Sequence, residues 1–402
     1  MKIFHTSTDD QFGFALVKEE INEALLKNDP PAAAAKITKL MMKEKNITLN
    51  IAITGEAGSG KSTFVNALRD LSDGDEGAAP TGVTETTMKV TEYPHPKYPN
   101  VTLWDLPGIG TTKFPADEYL KLVGFEKFDF FIIISDTRFR ENDVKLAQEI
   151  QRMKKKLYFV RSKIDNNMRA ERRKRDFSAD EALTKIREDC VNNLKKLGVE
   201  SPQVFLVSSF ELRLYDFSLL HETLEEDLPE HQRDALLFAT SSISLEIINK
   251  KKAAFQSRIK YNAFLSAAAG GVPIPLLPET IDVSMMAAVV TQYVDGFGLD
   301  KPSLERLAAN TGVPYSDLCD VMKSSLAKQE IDKGQIMKVL TSLAQTAVLQ
   351  ATGEAAKWIP VFGFAAGMSL SFCTTYTALN YFLDTLAEDA LKVFERALSG
   401  NK

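Results

Sequence analysis

The residues Gly55-Glu56-Ala57-Gly58-Ser59-Gly60-Lys61-Ser62 fit the spacing G-x-x-x-x-G-K-[ST], directly after the apolar run Ile47–Thr54 and directly before a helix-forming run. That context gives the pattern chemical meaning. Glycines permit a turn that aims successive backbone N–H groups at phosphate oxygens, and the start of the following helix adds partial positive charge. Lys61 then reaches the β- and γ-phosphates of a nucleotide, Ser62 ligates Mg²⁺, and the cradle extends to Thr63.

Further segments carry groups that a bound nucleoside triphosphate needs. Asp105-Leu106-Pro107-Gly108 ends the β-rich run Val101–Asp105, which puts a carboxylate at a strand's C-terminal end, where open α/β sheets bind ligands. Alone, such a DxxG is equally a strand-ending carboxylate with a turn glycine. After a P-loop it places Asp105 on Mg²⁺ through water and the Gly108 N–H at the γ-phosphate. Arg161-Ser162-Lys163-Ile164-Asp165 follows the run Leu157–Val160 and has the spacing of a guanine-reading NKxD element, with Ser162 in the asparagine's place. A carboxylate at Asp165 accepts the N1–H and N2 amino protons of guanine, while adenine offers no matching donor pair. The Lys163 stem covers the base and ribose. Ser208-Ser209, after Val204–Val207, stands where a last loop closes on the base. The polar loop Thr81-Gly82-Val83-Thr84-Glu85-Thr86-Thr87 holds four threonines, any one of which meets the need for a switch hydroxyl on Mg²⁺.

These loops need a sheet to hold them. The runs Ile47–Thr54, Met88–Tyr93, Val101–Asp105, Phe128–Ser135, Leu157–Arg161 and Val204–Val207 read as strands. Lys61–Leu68, Glu141–Met153, Ala179–Leu197 and Leu219–Glu226 read as helices, the third opened by a Ser178/Glu181 capping box. Such alternation predicts an α/β fold, a mixed but mostly parallel sheet covered on both faces, and together with the P-loop, DxxG and base-reading spacings the expected class is a Ras-like P-loop GTPase domain. Before it, Phe12–Lys45 has helical apolar spacing broken at Asn28-Asp29-Pro30-Pro31. After Leu228-Pro229 the chain lacks strand alternation and reads as helical. The expected division is therefore N-terminal helices over 1–45, a GTPase domain over 46–228 and a helical domain over 229–402, the first and last packing together.

Composition narrows the partners. With 49 basic and 54 acidic residues the net charge is −5, which argues against nucleic acid. Cys190, Cys319 and Cys373 share no metal-ligand or disulfide spacing, which fits a reducing cytosol. The basic runs Arg169–Arg175 and Lys154–Lys156 read first as solvated loop and helix ends. Trp358–Leu383 carries no formal charge. Its Pro360, Gly363, Gly367 and polar Ser369–Thr375 stretch favour a buried helix pair over a membrane-inserting segment.

The segments Gly77–Met88, Tyr93–Val101, Trp104–Thr112, Phe128–Ser135 and Tyr158–Arg161 closely resemble the interferon-inducible immunity-related GTPases. A weaker likeness persists at Phe297–Asp300 and Tyr381–Thr385. The resemblance implies a dynamin-like cytosolic GTPase that binds GTP and GDP, dimerises or oligomerises with GTP, and associates peripherally with intracellular membranes in cell-autonomous immunity. By it the switch glutamate and threonine map to Glu85 and Thr87, Thr87 joining Ser62 and Asp105 around Mg²⁺. The catalytic set becomes Lys61, Glu85, Thr87 and Gly108, with Glu85 acting across a dimer face because Ile109 stands where small signalling GTPases place a water-orienting glutamine. Lys2 stands where N-myristoylation needs glycine. The rival expectation is a slow GTP-dependent switch that docks a protein partner without assembly-coupled hydrolysis.

Overall fold

A computed structural model of the chain describes residues 19–82 except 22, 26 and 28, then 89–107, 123–269, 272–273, 280–281, 283–324, 326, 331–345, 355, 357 and 366–399. The expectations for Lys2, Thr84, Glu85, Thr86, Thr87, Gly108, Ile109 and residues 358–365 lie outside the described residues. Two units separate: Thr48–Leu228 with Ala239–Ile243, and Met1–Ile47 with Pro229–Phe238 and Ser244–Lys402. The return of Ala239–Ile243 to the first unit departs from the simple break expected at 228/229. Within that unit the Ser241 hydroxyl lies 3.2 Å from Asp70 Oδ1, a long-range contact that composition does not register.

Residues 19–21 and 23–25 are helical, and the next helix begins at the predicted break. Asp29 Oδ1 accepts the Ala32 N–H at 3.1 Å, and Pro30 and Pro31 occupy opening positions where a missing N–H costs nothing, giving α1, Pro30–Lys45. The sheet unit follows as β1 (Leu49–Gly55), α2 (Lys61–Leu68), β2 (Thr91–Pro94), β3 (Val101–Asp105), β4 (Phe130–Ser135), α3 (Glu141–Arg152), β5 (Lys156–Arg161), α4 (Ile164–Glu171), α5 (Ala179–Lys196), β6 (Val204–Leu206) and α6 (Phe217–Asp227).

The strand order is β2-β3-β1-β4-β5-β6, parallel except for β2, which runs antiparallel to β3 at the edge. Burial follows position. Every residue of β4 is buried, as expected of a strand covered on both faces, while β2 alternates between exposed and half-buried. Phe131, Ile133 and Phe159 share a core with Val144 and Ile150 of α3 and Cys190 and Leu194 of α5.

Gly55, where β1 ends, has a specific steric cause. At φ +143°, a Cβ built there would lie 2.0 Å from the Ile134 carbonyl oxygen of β4, so no side chain fits where the two strands approach.

One helix, α4, is absent from the pattern-based reading. Only Ile164 and Met168 are buried on it, so its apolar stripe is too narrow to show as periodicity. It absorbs the start of the basic run, and Lys174 Nζ closes on Glu171 at 2.6 Å just past its end. Lys155 and Lys156 are engaged at the other basic run, Lys155 donating to the Glu126 and Phe128 carbonyls and Lys156 pairing with Asp227 at 2.6 Å.

The second unit holds α1 with α7 (Glu230–Ala239), α8 (Leu245–Ala269), α9 (Val283–Phe297), α10 (Lys301–Thr311), α11 (Tyr315–Asp320), α12 (Lys333–Gln345) and α13 (Ala366–Ser399). Ala33, Ile37 and Leu40 of α1 pack with Ala263 and Phe264 of α8 and Phe372 and Cys373 of α13. The uncharged stretch thus enters α13 with Phe372, Thr375, Leu379 and Phe382 buried. No described helix is long and apolar enough to cross a membrane.

Candidate functional site

Because β1 pairs with β3 on one side and β4 on the other, the strand order diverges at β1 and leaves a crevice beyond its carboxyl end. The loop Gly55–Gly60 lies there and delivers the chain into α2. Gly60 is the N-cap residue at φ +91°, and no side-chain oxygen caps the helix. No acidic residue stands in the first turn. Both features suit an anion, since the helix's opening N–H groups and dipole then face outward. Lys61 is buried and curls back over the loop, its Nζ donating to Glu56 O at 2.8 Å and Gly55 O at 3.2 Å. The Ser59 hydroxyl is 1% exposed and has no hydrogen-bond partner among the described residues.

Ser62 opens α2 and Asp105 closes β3, and the parallel register of β1 with β3 sets the two side by side. The Ser62 hydroxyl donates to Asp105 Oδ2 at 2.7 Å, with Asp105 fully buried. A hydroxyl and a carboxylate in contact at a phosphate cradle form an all-oxygen donor set. Such a set fits a hard divalent cation that keeps several waters and takes its other ligands from phosphate, as Mg²⁺ does.

The segment Arg161–Asp165, expected from sequence to read the base, is fastened to the loop Gly55–Gly60 by two neighbouring residues. Ser162 is buried, and its hydroxyl donates to the Ser59 carbonyl at 2.6 Å. Lys163 Nζ donates to the Gly58 carbonyl at 2.5 Å and to Asp136 Oδ2 at 3.0 Å. A Cβ on Gly60 would meet Lys163 Cε at 3.6 Å, so the lysine stem lies over the loop. Lys163 stands at φ +57°, left-handed backbone that turns the chain from β5 into α4 and sets Asp165 in that helix's first turn. The Ile164 N–H donates to Val207 O at 3.2 Å, fastening the loop after β6, with buried Ser208, to the same segment. Tyr215 lies close by. Burial, Glu211 and the negative charge of Asp165 push its phenol up to about 12.

Three neighbours were not singled out by motif. Asp136 follows β4 and holds Lys163. Arg140 pairs with Glu56 of the P-loop at 3.0 Å. Asp143 Oδ2 accepts the Arg140 N–H at 2.8 Å, an acidic residue capping the start of α3. Burial pushes the Asp143 carboxyl up to about 6, with the Glu56 charge adding to the rise. The only signal for Asp143 was its place as the third residue of the helix, three beyond the N-cap Arg140. The partners of Asp136 and Arg140 lie far off in sequence and leave no local trace.

Comparison with known proteins adds to this geometry. The family described as "Interferon-inducible GTPase (IIGP)" matches residues 15–397. The chain is 39% identical over 402 residues to "Interferon-inducible GTPase 5" of Bos taurus, covering 99% of this chain and 86% of the relative. It is 37% identical over 375 residues to "Interferon-gamma-inducible GTPase 10" of Mus musculus, covering 92% and 87%. With "Interferon-inducible GTPase 1" of Mus musculus it shares 36% over 348 residues, covering 85% and 81%.

Proposed function

The chain belongs to the interferon-inducible GTPase family and is a GTP hydrolase, and on that premise we propose a Mg²⁺-dependent, dynamin-like enzyme whose turnover is coupled to self-assembly. The observation that carries the reading is the meeting of Ser62 and Asp105 at 2.7 Å beside a cradle that Lys163 and Ser162 fasten to the base-reading segment.

In this reading Gly55, Glu56, Ala57, Gly58, Ser59, Gly60 and Thr63 enclose the phosphates, and Lys61 exchanges its carbonyl partners for β- and γ-phosphate oxygens. Ser62 and Asp105 hold the cation, which neutralises charge on the triphosphate when bound. Thr87 completes that set and Gly108 offers its N–H to the γ-phosphate. Asp165 selects guanine, the Lys163 stem covers the base, and Ser208 closes the loop over it. Water attacks the γ-phosphorus, the bond to the β–γ bridging oxygen breaks, and GDP and phosphate leave.

Ile109 bears no group able to orient that water. A partner molecule docked across the nucleotide face would exclude bulk solvent and fix Glu85, supplying electrostatic stabilisation that an isolated switch loop lacks. Peripheral association with intracellular membranes, from the cytoplasm and in innate immunity, is proposed from family membership.

Single-turnover hydrolysis at several protein concentrations tests the coupling. Rate per molecule should climb with concentration for the parent and stay low for Glu85→Ala, which still binds GTP. A hundredfold loss would equal about 2.7 kcal/mol of transition-state stabilisation. Equal specific activity at all dilutions would instead mark a switch hydrolysing in isolation.

A further inference from the structure

Behind the base-reading segment, on the side covered by α3 and α5, a cavity of about 520 Å³ is lined by Thr137, Arg138, Arg140, Arg161, Lys185, Ile186, Asp189 and Cys190. No P-loop residue lines it. Four of its eight lining residues are cationic and one is acidic. Asp189 is taken up by a two-pronged contact from Arg138, at 2.8 and 2.9 Å, and Arg140 is paired with Glu56. Lys185 is exposed and has no hydrogen-bond or ion-pair partner among the described residues.

Arg161 is the informative member. It is 7% exposed, its Nη2 donates to Asn167 Oδ1 at 3.2 Å, and its Nη1 has no hydrogen-bond partner. Burial pulls the guanidinium below its ordinary range, and the attraction of Cys190, Asp136 and Asp189 does not offset it. A buried guanidinium with an N–H group left unsatisfied is costly, on the order of 1–3 kcal/mol. Such a cost is tolerated where a ligand repays it. Planar arginine forks with a flexible lysine form the donor set that matches phosphate oxygens. The volume falls in the range of small-molecule sites and exceeds what a single phosphate fills.

We propose that this cavity binds a small phosphorylated anion, free or as a lipid headgroup, through Arg161 and Lys185 with Arg138 and Arg140 at the rim. The site is separate from the nucleotide's. It lies directly behind Ser162 and Lys163, and the loop that holds Asp136 continues into its wall.

The test uses the full chain loaded with GDP and Mg²⁺, so that the P-loop is filled before any anion is added. Calorimetric titration with inositol trisphosphate should show saturable one-to-one binding that weakens with salt. Lys185→Glu, a surface change, should raise the Kd at least about tenfold, or 1.4 kcal/mol. Arg161→Gln should do the same, and circular dichroism would check its fold. In parallel, the protein is floated with phosphatidylcholine vesicles with and without a phosphoinositide bisphosphate. Binding of the soluble anion alone assigns the site to a free metabolite, and binding to phosphoinositide vesicles that Lys185→Glu abolishes assigns it to a headgroup. Absence of saturable binding to both, or Lys185→Glu binding as the parent does, overturns the proposal.

Discussion

Lys163 is held at φ +57°, where a residue bearing a Cβ pays about 1–2 kcal/mol relative to right-handed backbone. Glycine would sit there without that penalty, at a cost of about 0.5–1 kcal/mol in extra unfolded-state entropy. Lys163→Gly should therefore leave the sheet unit about 0.5–1 kcal/mol more stable than Lys163→Ala. Both variants lose the same side chain, so their difference isolates the backbone. The lost ion pair with Asp136 is 40% and 35% exposed on its two sides and contributes only about 0.2–1 kcal/mol. Thermal unfolding of the three proteins reads the difference as about 2–4 °C per kcal/mol for a unit of this size. Nucleotide titration should behave differently, with both variants losing GDP affinity by about tenfold because neither has a stem to cover the base. That combination explains why lysine occupies a glycine-favouring position. If Lys163→Gly is no more stable than Lys163→Ala, the strain argument fails. If both bind GDP like the parent, the lysine is not retained for the nucleotide.

Asp165→Asn should weaken GTP by at least about tenfold and shift preference toward xanthosine triphosphate, because an amide donates where guanine also donates; unchanged GTP affinity by calorimetry would remove the base-reading assignment. Ser62→Asn should retain GDP but lose Mg²⁺-coupled GTP binding, measured as the disappearance of the difference in GTP Kd with and without the metal. Asp143 supplies a pH test. Its folded carboxyl is raised to about 6 from an ordinary 3.8, so its contribution is fully present below about pH 4 and is lost as pH rises through 6. Asp143→Asn, which can still accept the Arg140 N–H, should raise stability above pH 6 by about 1–3 kcal/mol and leave it unchanged near pH 4. Denaturant titrations at both values check this, and equal effects at the two would refute it.

The sheet was readable because its strands are short apolar runs bounded by functional turns. Val101–Asp105 has the same limits in sequence and structure, and the other strands shift by one to three residues at an end. The helix from Ile164 was hidden because its start is a ligand-type loop and only two of its residues are buried. The residues expected at phosphate and metal stand out in sequence because such roles demand fixed types at fixed spacing, and the fold brings two of them, Ser62 and Asp105, into contact. Arg140 and Asp136 were not, since each acts through a partner that only the folded sheet brings near. The charge-free stretch before Leu383 was ambiguous for a related reason. Hydropathy does not separate a buried helix from a membrane-seeking one, and it takes the packing of Phe372 and Cys373 against α1 and α8 to supply the neighbour.

The substitution of serine for asparagine in the base-reading element also becomes intelligible. A side chain here must reach from the end of β5 to the P-loop backbone, and serine does so at 2.6 Å. Its neighbour Lys163 takes the preceding carbonyl, that of Gly58. Two consecutive residues thus grip two consecutive P-loop carbonyls, which fixes the separation between the phosphate cradle and the carboxylate of Asp165. Arg161, one residue earlier, is the last residue of β5, and its side chain lines the basic cavity. The same three-residue segment therefore gives Ser162 and Lys163 to the P-loop contacts and Arg161 to the lining of the basic cavity. Should a ligand on Arg161 change nucleotide affinity, linkage requires the nucleotide to change that ligand's affinity by the same factor.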